Sequence, residues 1–582
     1  MSGSHSGDPL ARMRHSTAHV MAQAVQHLLP GARFAFGPDT EDGFYYDMEL
    51  PRPIGPDDLA AIEAEMRTSI AAGADFVQQD WPKEQAIAWF REHDQPFKVE
   101  WIGQLPDATV SLYRQGDFTD LCAGPHLHNT ADIGPFKLLN IAGAYWRGDE
   151  QREQLTRVYG TVWPTQAELD AYLERVEDAK RRDHRRIGRD LDLFMFSEHV
   201  GPGLPFWLPG GAAVRRELER YMTDVELRCG YQHVVTPDVA KVELYKTSGH
   251  WDHYRDAMFP VMHAGEEELV LRPMNCPHHI LVFQHSQHSY RDLPLRIAEF
   301  GNMWRYEKSG ELSGLSRVRC VDLNDAHIFC TPDQILDEIK GVVQLIEDVY
   351  ATLGITEHWY RLSLWDPNDK AKYVDNPPMW ERGERYLRQA LDELGLEYAV
   401  APGEAAFYGP KIDIQLRDPM GHSESISTIQ VDFHLPNQFG LEYIGEDAQP
   451  HQPVMIHRGI IGGLVRIMAF LIEKYAGAFP VWLAPVQARL IPITEKNVPY
   501  LRTLHAQLLE AGVRSTLDGR NEKMQRKIAE AQAEKVPYMV LAGGRDEEAG
   551  TVSVRLRSGE QLPPMPPAEF VARLLDDIHH HR

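Results

Sequence analysis

At 582 residues, 43% of them hydrophobic, the chain should hold three to five domains of about 150 residues, each with an ordinary core. A formal net charge of −25 excludes a general electrostatic grip on nucleic acid, so RNA would need local basic patches, and no apolar run reaches the ~18 residues of a membrane span. Five scattered cysteines (Cys122, Cys229, Cys276, Cys320 and Cys330) and a start without a signal peptide's apolar stretch exclude a disulfide-built secreted domain and point to the cytoplasm.

Leu10 to Leu28 has helical periodicity and carries His15 and His19 one turn apart on one face. The pair resembles half a zinc site, but the Glu of H-E-x-x-H is missing, which argues against a metalloprotease. Two histidines merely packed or solvated are the commoner meaning of such a pair. Residues 118–130, FTDLCAGPHLHNT, then set Asp120, Cys122 and His126 around a Gly-Pro turn. With His15 and His19 they make one candidate site, whose ligand chemistry leaves metal binding open.

Leu169, Tyr172, Leu173 and Val176 recur at helical spacing, predicting an amphipathic linker helix over 165–189. It ends in the densest positive charge of the chain, Lys180 to Arg189, which is either a solvated face or a contact for an RNA backbone. A helix with Val214, Leu218, Met222 and Val225 on one side is stopped by Gly230. The strand YQHVVTPDV follows and reaches Pro237, which suits a sheet edge or a dimer element.

Residues 300–330, FGNMWRYEKSGELSGLSRVRCVDLNDAHIFC, read as strand, tight turn, strand. Such a hairpin would aim Arg305 and Arg317 into one cleft, with Glu307 beside them. Arginine's fork of donors suits phosphate oxygens, and a carboxylate can accept from an exocyclic base amine. Exposed ion pairs on a surface hairpin would have the same composition. Asp333 to Gly354 is helical, and STIQVDFHL is a buried strand by its alternation and β-branched content. Residues 453–480 give a strand with His457, a Gly-Gly turn, and an apolar helix from about Leu464. Arg466 on that helix is costly unless it meets a ligand or partner. After Pro480, strands alternate with helices at 497–511 and 522–534, which makes a small α/β domain.

The segments GHWDHYRDAMF, RPMNCPHH, YRDLPLRIAEFGNMWRYEKSGELSGLSRVR, LNDAHIFC, AFYGPKIDIQL, PVMIHRG and FPVWLAPVQ resemble those of the threonyl-tRNA synthetases, class II aminoacyl-tRNA synthetases, and the resemblance covers nearly the whole chain. Pro237, the Arg305 hairpin and the Arg466 helix correspond to the three class II motifs. Each motif is weak alone; their order together with the threonine-specific blocks makes chance agreement very improbable. The resemblance implies an α+β multidomain protein. Its parts would be an N-terminal α/β editing domain (1–164), the linker helix (165–189), a class II catalytic domain with an antiparallel sheet and flanking helices (190–484), and a C-terminal α/β anticodon-binding domain (485–582).

The same resemblance implies ATP-dependent activation of L-threonine to threonyl-adenylate, transfer to the 3′ end of tRNA(Thr), and hydrolysis of mischarged seryl-tRNA(Thr). One Zn²⁺ per subunit would be held by Cys276, His327 and His457. A thiolate and two imidazoles suit zinc, and three ligands leave room for threonine's amino group and hydroxyl. Valine lacks that hydroxyl, and an apolar pocket alone separates such near-isosteres only ~10²-fold. Asp325 would accept from the threonine hydroxyl, with Tyr408 and Gln430 lining the pocket. Arg305 would clamp the α-phosphate, Glu307 read the adenine amine, and Arg317 and Arg466 hold the β/γ end, with Mg²⁺ accompanying ATP. Serine keeps a hydroxyl and passes the zinc filter, which gives the N-terminal cluster its purpose. His15, His19, Cys122 and His126 match the editing motifs, with Asp120 and Lys98 as partners and no bound metal required. Arg555 is the best match for anticodon contact, and the first class II motif implies a homodimer. A non-catalytic RNA-binding relative would not need the arginines or the Cys/His/His set, and a free-standing editing hydrolase would not need the remaining domains.

The sequence also departs from the family. Many members carry a further N-terminal domain, whereas this chain starts almost at the histidine helix. Cys320 stands where Gly is usual, Asp322 where Thr is usual, and Val465 where Glu is common, while Gly462-Gly463 is unusually bare. These departures suggest a specialised second copy that tolerates an inhibitor of the ordinary enzyme.

Overall fold

A computed structural model describes residues 8–149 and 151–582. The first seven residues, on which the signal-peptide reading partly rests, lie outside them. The chain divides into two compact units, Met1–Glu177 and Asp178–Arg582. The division falls inside the helix Gln166–Arg182, and a second helix, His184–Asp190, starts afresh at Asp183, whose carboxylate caps it through the Arg185 N–H. The single helix expected over 165–189 is therefore two. No helix among the described residues is long and apolar enough to cross a membrane.

The first unit is organised around the helix Pro9–Leu28. Asp8 accepts from the Leu10 N–H as its N-cap, and Pro9 occupies the first turn, where no amide donor is missed. Ala18, Val20, Met21, Ala22, Ala24 and Val25 are all buried, so the helix is enclosed rather than laid on a surface. Its neighbours include an antiparallel four-stranded sheet, ordered Arg33–Phe34, Phe44–Glu49, Gln154–Val162, Phe136–Tyr145. A second sheet, Val77–Pro82, Thr109–Gln115 and Phe118–Leu121, delivers Asp120 and then Cys122. The short helix Pro96–Gln104 carries Lys98.

The second unit is built on an eight-stranded sheet ordered Gln232–His233, Leu295–Trp304, Cys320–Cys330, Val454–Gly463, Ser423–Asp432, Lys411–Arg417, His358–Leu364, Tyr398–Pro402. All pairings are antiparallel except the outermost one at each edge. The central strand Val454–Gly463 is buried almost throughout, and the apolar face of Ile335–Thr352 packs on it. The expected strand YQHVVTPDV contributes only Gln232–His233 to this sheet, and Val239–Lys241 joins a separate three-stranded one. Residues after 487 form a four-stranded sheet, three strands parallel and the last antiparallel, with helices Val498–Glu510 and Met524–Ala533 between its strands.

Two local expectations change. Leu295–Trp304 and Cys320–Cys330 do pair, from Leu295 opposite Phe329 to Trp304 opposite Cys320. Their connection is the long segment 305–319 with one 3₁₀ turn, Ser309–Glu311, and not a tight turn. The polar Gly/Ser composition suits a surface loop as well as a tight turn, so composition does not separate the two. Likewise Gly462-Gly463 is not a turn. Both glycines belong to the strand, which bulges where Leu323 faces Gly463 and Asp325 faces Gly459. Gly462 has φ of +58°, and a Cβ there would collide with the Ile426 carbonyl oxygen. The bareness is a packing requirement of the bulge.

Candidate functional sites

The hairpin and the central strand bring distant residues together. His327 lies opposite His457 in one pairing, and His457 lies opposite Gln430 in the next. Cys276 opens the helix Cys276–Gln284. One ligand atom from each of Cys276, His327 and His457 lies within 4.8 Å of the others, and all three residues are buried. His327 Nε2 and His457 Nδ1 face each other at 3.0 Å. The remaining nitrogens are engaged behind: His457 Nε2 lies 2.8 Å from Asp432, and His327 Nδ1 lies 2.7 Å from His279, which in turn reaches Glu299 at 3.2 Å. Imidazoles oriented from behind by carboxylates, with their free nitrogens converging beside a thiol, fit a zinc ion.

Burial and the neighbouring histidines hold His327 neutral, far below its ordinary pKa. Burial, then Asp325 and Asp432, push the Cys276 thiol up. Asp325 is buried, with Oδ2 3.9 Å from His327 Nε2 and no hydrogen-bond donor on that oxygen among the described residues. Tyr408 stacks on His457 with ring centroids 4.6 Å apart and donates to Gln430 at 2.7 Å. The three expected pocket residues therefore adjoin the Cys/His/His set. The orienting residues His279, Glu299 and Asp432 were missed, because a buried acid in a strand carries no sequence mark of its partner.

Along 305–319 the arginines are arranged differently. Arg305 lies at the loop's start, its guanidinium 3.2 Å from Met274 Sδ. Arg317 pairs with Glu307 at 2.8 Å and stands 3.6 Å from Glu311, with half of its side chain exposed. Arg319 donates twice to the Glu307 carbonyl oxygen. Arg466, exposed on the helix Leu464–Tyr475, donates to the Ser316 and Ser425 carbonyl oxygens at 3.4 Å. The Arg466 helix and the Arg317 turn are thus neighbours. Asp322 pairs with Arg215 at 2.8 Å and Val465 is buried; neither contact by itself points to inhibitor tolerance. Arg555 lies on the strand Ser553–Leu556 opposite Met539, its Nε buried and without a hydrogen-bond partner among the described residues. It joins no other site residue.

In the first unit, His15, His19, Cys122 and His126 offer ligand atoms within 4.8 Å of one another. Cys122 Sγ is 3.3 Å from both His15 Nε2 and His126 Nε2, and the Gly124 N–H donates to it at 3.2 Å. Ser16 Oγ is 3.1 Å from His126 Nδ1. Below them Lys98 and Asp120 form a buried pair at 2.5 Å, and Tyr46 donates its hydroxyl hydrogen to Asp120. His19 stands 3.7 Å from the same carboxylate. Burial lowers the pKa of all three histidines and pushes the Cys122 thiol up to about 12, so at neutral pH the cluster is a thiol among neutral imidazoles. A cavity of about 840 Å³ opens beside it, lined by His15, His19, Lys98, Asp120 and Cys122. Such a pocket suits a polar group held by hydrogen bonds and hydrolysed by a positioned water better than attack by a thiolate. Tyr46 and Ser16, which the structure adds to the cluster, were not singled out from the sequence.

Known proteins resemble the chain along its length. Residues 259–475 match the class II core domain of tRNA synthetases (G, H, P, S and T), 487–577 an anticodon binding domain, and 110–159 the second additional domain of threonyl and alanyl tRNA synthetases. A threonine–tRNA ligase of Geobacillus kaustophilus is 51% identical over 98% of this chain and 88% of its own length. One from Streptococcus thermophilus is 52% identical over 98% of this chain and 89% of its own. Among solved structures, the RNA binding domain of threonyl-tRNA synthetase from Cryptosporidium parvum is 36% identical, with a TM-score of 0.65 over 68% of this chain and 98% of that one.

Proposed function

The chain belongs to the threonine–tRNA ligases, class II aminoacyl-tRNA synthetases, and from that premise we propose how its residues divide the work. Residues 1–164 would edit, 165–189 link, 190–484 activate and transfer threonine, and 485–582 bind the anticodon, with Arg555 in contact. Cys276, His327 and His457 would hold Zn²⁺, which supplies an open Lewis-acid position for the amino and hydroxyl groups of threonine. Asp325 accepts a hydrogen bond from the threonine hydroxyl on its otherwise partnerless oxygen. Tyr408 and Gln430 close the pocket wall beside His457.

ATP, with Mg²⁺ as its counter-ion, would lie along the 305–319 loop. Arg305 holds the α-phosphate where the threonine carboxylate attacks, pyrophosphate leaves, and threonyl-adenylate forms. Arg317 and Arg466 hold the β and γ phosphates, and Glu307 accepts from the adenine amine. The Arg317 side of its pair with Glu307 is half exposed, and pairs open to solvent are worth only about 0–1 kcal/mol, so ATP opens it at little cost. Positioning and charge stabilisation carry the chemistry. The 3′ ribose hydroxyl of tRNA(Thr) then takes the threonyl group.

Seryl-tRNA(Thr) would be hydrolysed in the first unit by a water held among His15, His19, Cys122 and His126, with Asp120 and Lys98 beneath. A homodimer would cover the sheet edge at Gln232–His233, next to which Val235 is 96% exposed; sedimentation velocity tests it.

The observation that carries this reading is the convergence of Cys276, His327 and His457 beside a buried Asp325 oxygen without a donor. Threonine-dependent ATP–pyrophosphate exchange and zinc content, measured together on Cys276→Ser, test it. Loss of zinc with loss of exchange is expected. Exchange supported by serine or another amino acid but not by threonine would overturn the substrate, and seryl-tRNA hydrolysis persisting in a His15→Ala, His19→Ala variant would overturn the editing site.

A further inference from the structure

Apart from these two sites, one further group of side chains converges among the described residues: Asp183, His184 and Glu473 offer ligand atoms within 4.8 Å of one another. The hydrogen bonds argue against an ion there. His184 Nε2 accepts from the Leu315 N–H at 3.0 Å, which places the ring proton on Nδ1, and Nδ1 donates to Glu473 Oε1 at 2.7 Å. Both ring nitrogens are used, and none is left for a metal. The ring is 5% exposed, so each bond is shielded from competing water.

Both ends of this relay lie on parts that bear the triphosphate arginines. Leu315 belongs to the turn Ser313–Arg317, closed by reciprocal bonds between Ser313 and Arg317 at 3.1 Å. Glu473 lies on the helix Leu464–Tyr475, two turns after Arg466. The turn is gripped from two sides, by His184 at the Leu315 N–H and by Arg466 at the Ser316 carbonyl oxygen. Gly314, immediately before Leu315, has φ of +48°, and a Cβ there would collide with His184 Nε2, so the turn can approach the ring only as glycine.

We propose that His184 is a positioning residue for the ATP site: it ties the turn bearing Arg317 to the helix bearing Arg466, so that both guanidinium groups meet the β and γ phosphates in register. This rests on the reading that Arg317 and Arg466 hold those phosphates. The neutral imidazole is what the position needs, one nitrogen donating and the other accepting across two elements far apart in sequence.

The test is threonine-dependent ATP–pyrophosphate exchange by the full-length enzyme, with ATP binding measured by calorimetry and melting temperature alongside. Losing one buried hydrogen bond of this kind should raise the KM for ATP about tenfold in His184→Phe, with the KM for threonine unchanged. Should His184→Phe fail to fold, Glu473→Ala frees the same ring and is expected to act in the same direction. In His184→Gln, whose amide oxygen can still accept from Leu315, ATP affinity should largely recover. A merely structural histidine would instead lower melting temperature and kcat with both KM values unmoved, and that result overturns the proposal. Arg317→Ala and Arg466→Ala serve as the reference. If they leave the KM for ATP unchanged, the phosphate reading itself fails; if they raise it and His184→Phe does not, only the tie through His184 fails.

Discussion

Lys98 offers a quantitative test of how the N-terminal site is supported. Its ammonium lies 2.5 Å from Asp120, both side chains are under 5% exposed, and the carboxylate also receives the Tyr46 hydroxyl and the Leu121 N–H. Replacing Lys98 by Met keeps the apolar stem but strands a buried carboxylate. Breaking a buried pair from one side costs about 3–5 kcal/mol, a large share of the roughly 5–15 kcal/mol that holds a domain. Lys98→Met, Asp120→Asn removes both charges and leaves the amide to bond with Tyr46, so most of the loss should return. Hydrogen exchange of the amides of residues 16–25, read by mass spectrometry in the full chain, reports this unit separately from the rest. At 1.4 kcal/mol per decade the single variant should exchange between about a hundredfold and a few thousandfold faster. Seryl-tRNA hydrolysis should fall with it. An acceleration below about tenfold in Lys98→Met, or a double variant no better than the single, would refute the claim that this pair is a buried, mutually dependent unit.

Three further expectations follow from the second unit. Burial opposes ionisation of Glu226, but Arg458 at 2.7 Å, with His233 and Asn324, more than offsets it and holds the carboxyl below its usual range. Its contribution is therefore complete above the ordinary glutamate value of about 4.3 and is lost as pH falls through the lower folded value. Glu226→Gln should flatten that acid limb in near-UV circular dichroism and cost about 3 kcal/mol at neutral pH, because Arg458 is left buried without its counter-charge; an unchanged acid midpoint contradicts this. Gly462→Ala must place a Cβ against the Ile426 carbonyl at positive φ, so a loss of about 1–3 kcal/mol in urea denaturation is expected; a stabilised variant would show the bulge to be plastic. Glu307→Ala should change stability by less than about 1 kcal/mol while raising the KM for ATP, and equal losses in stability and in both substrate affinities would count against an adenine contact.

Much of the site list was legible before any coordinates, for different reasons in different places. His15 and His19 one turn apart, and Cys122 and His126 around a Gly-Pro turn, are local patterns, and helix and turn geometry keep such neighbours together. Cys276, His327 and His457 have no such spacing; resemblance named them, strand register set His327 opposite His457, and the start of the helix Cys276–Gln284 brought the cysteine beside them. The Gly/Ser-rich run after Arg305 misled as to length, since composition marks a loop without saying whether it closes in four residues or runs on from Trp304 to Cys320. Gly462 looked like a deficiency and proved to be a close backbone approach.

What the sequence by itself determined was most of the order of elements, the class of fold and the candidate groups for the chemistry, because periodicity, motif order and resemblance are read from the chain alone. What only the tertiary structure decided was how those groups are held. Asp432 behind His457, His279 and Glu299 behind His327, Lys98 under Asp120, and His184 between Leu315 and Glu473 are contacts across long sequence separations. Their partners are chosen by strand register, helix packing and the need of buried polar groups for one another, and none of these leaves a mark on the residue next door.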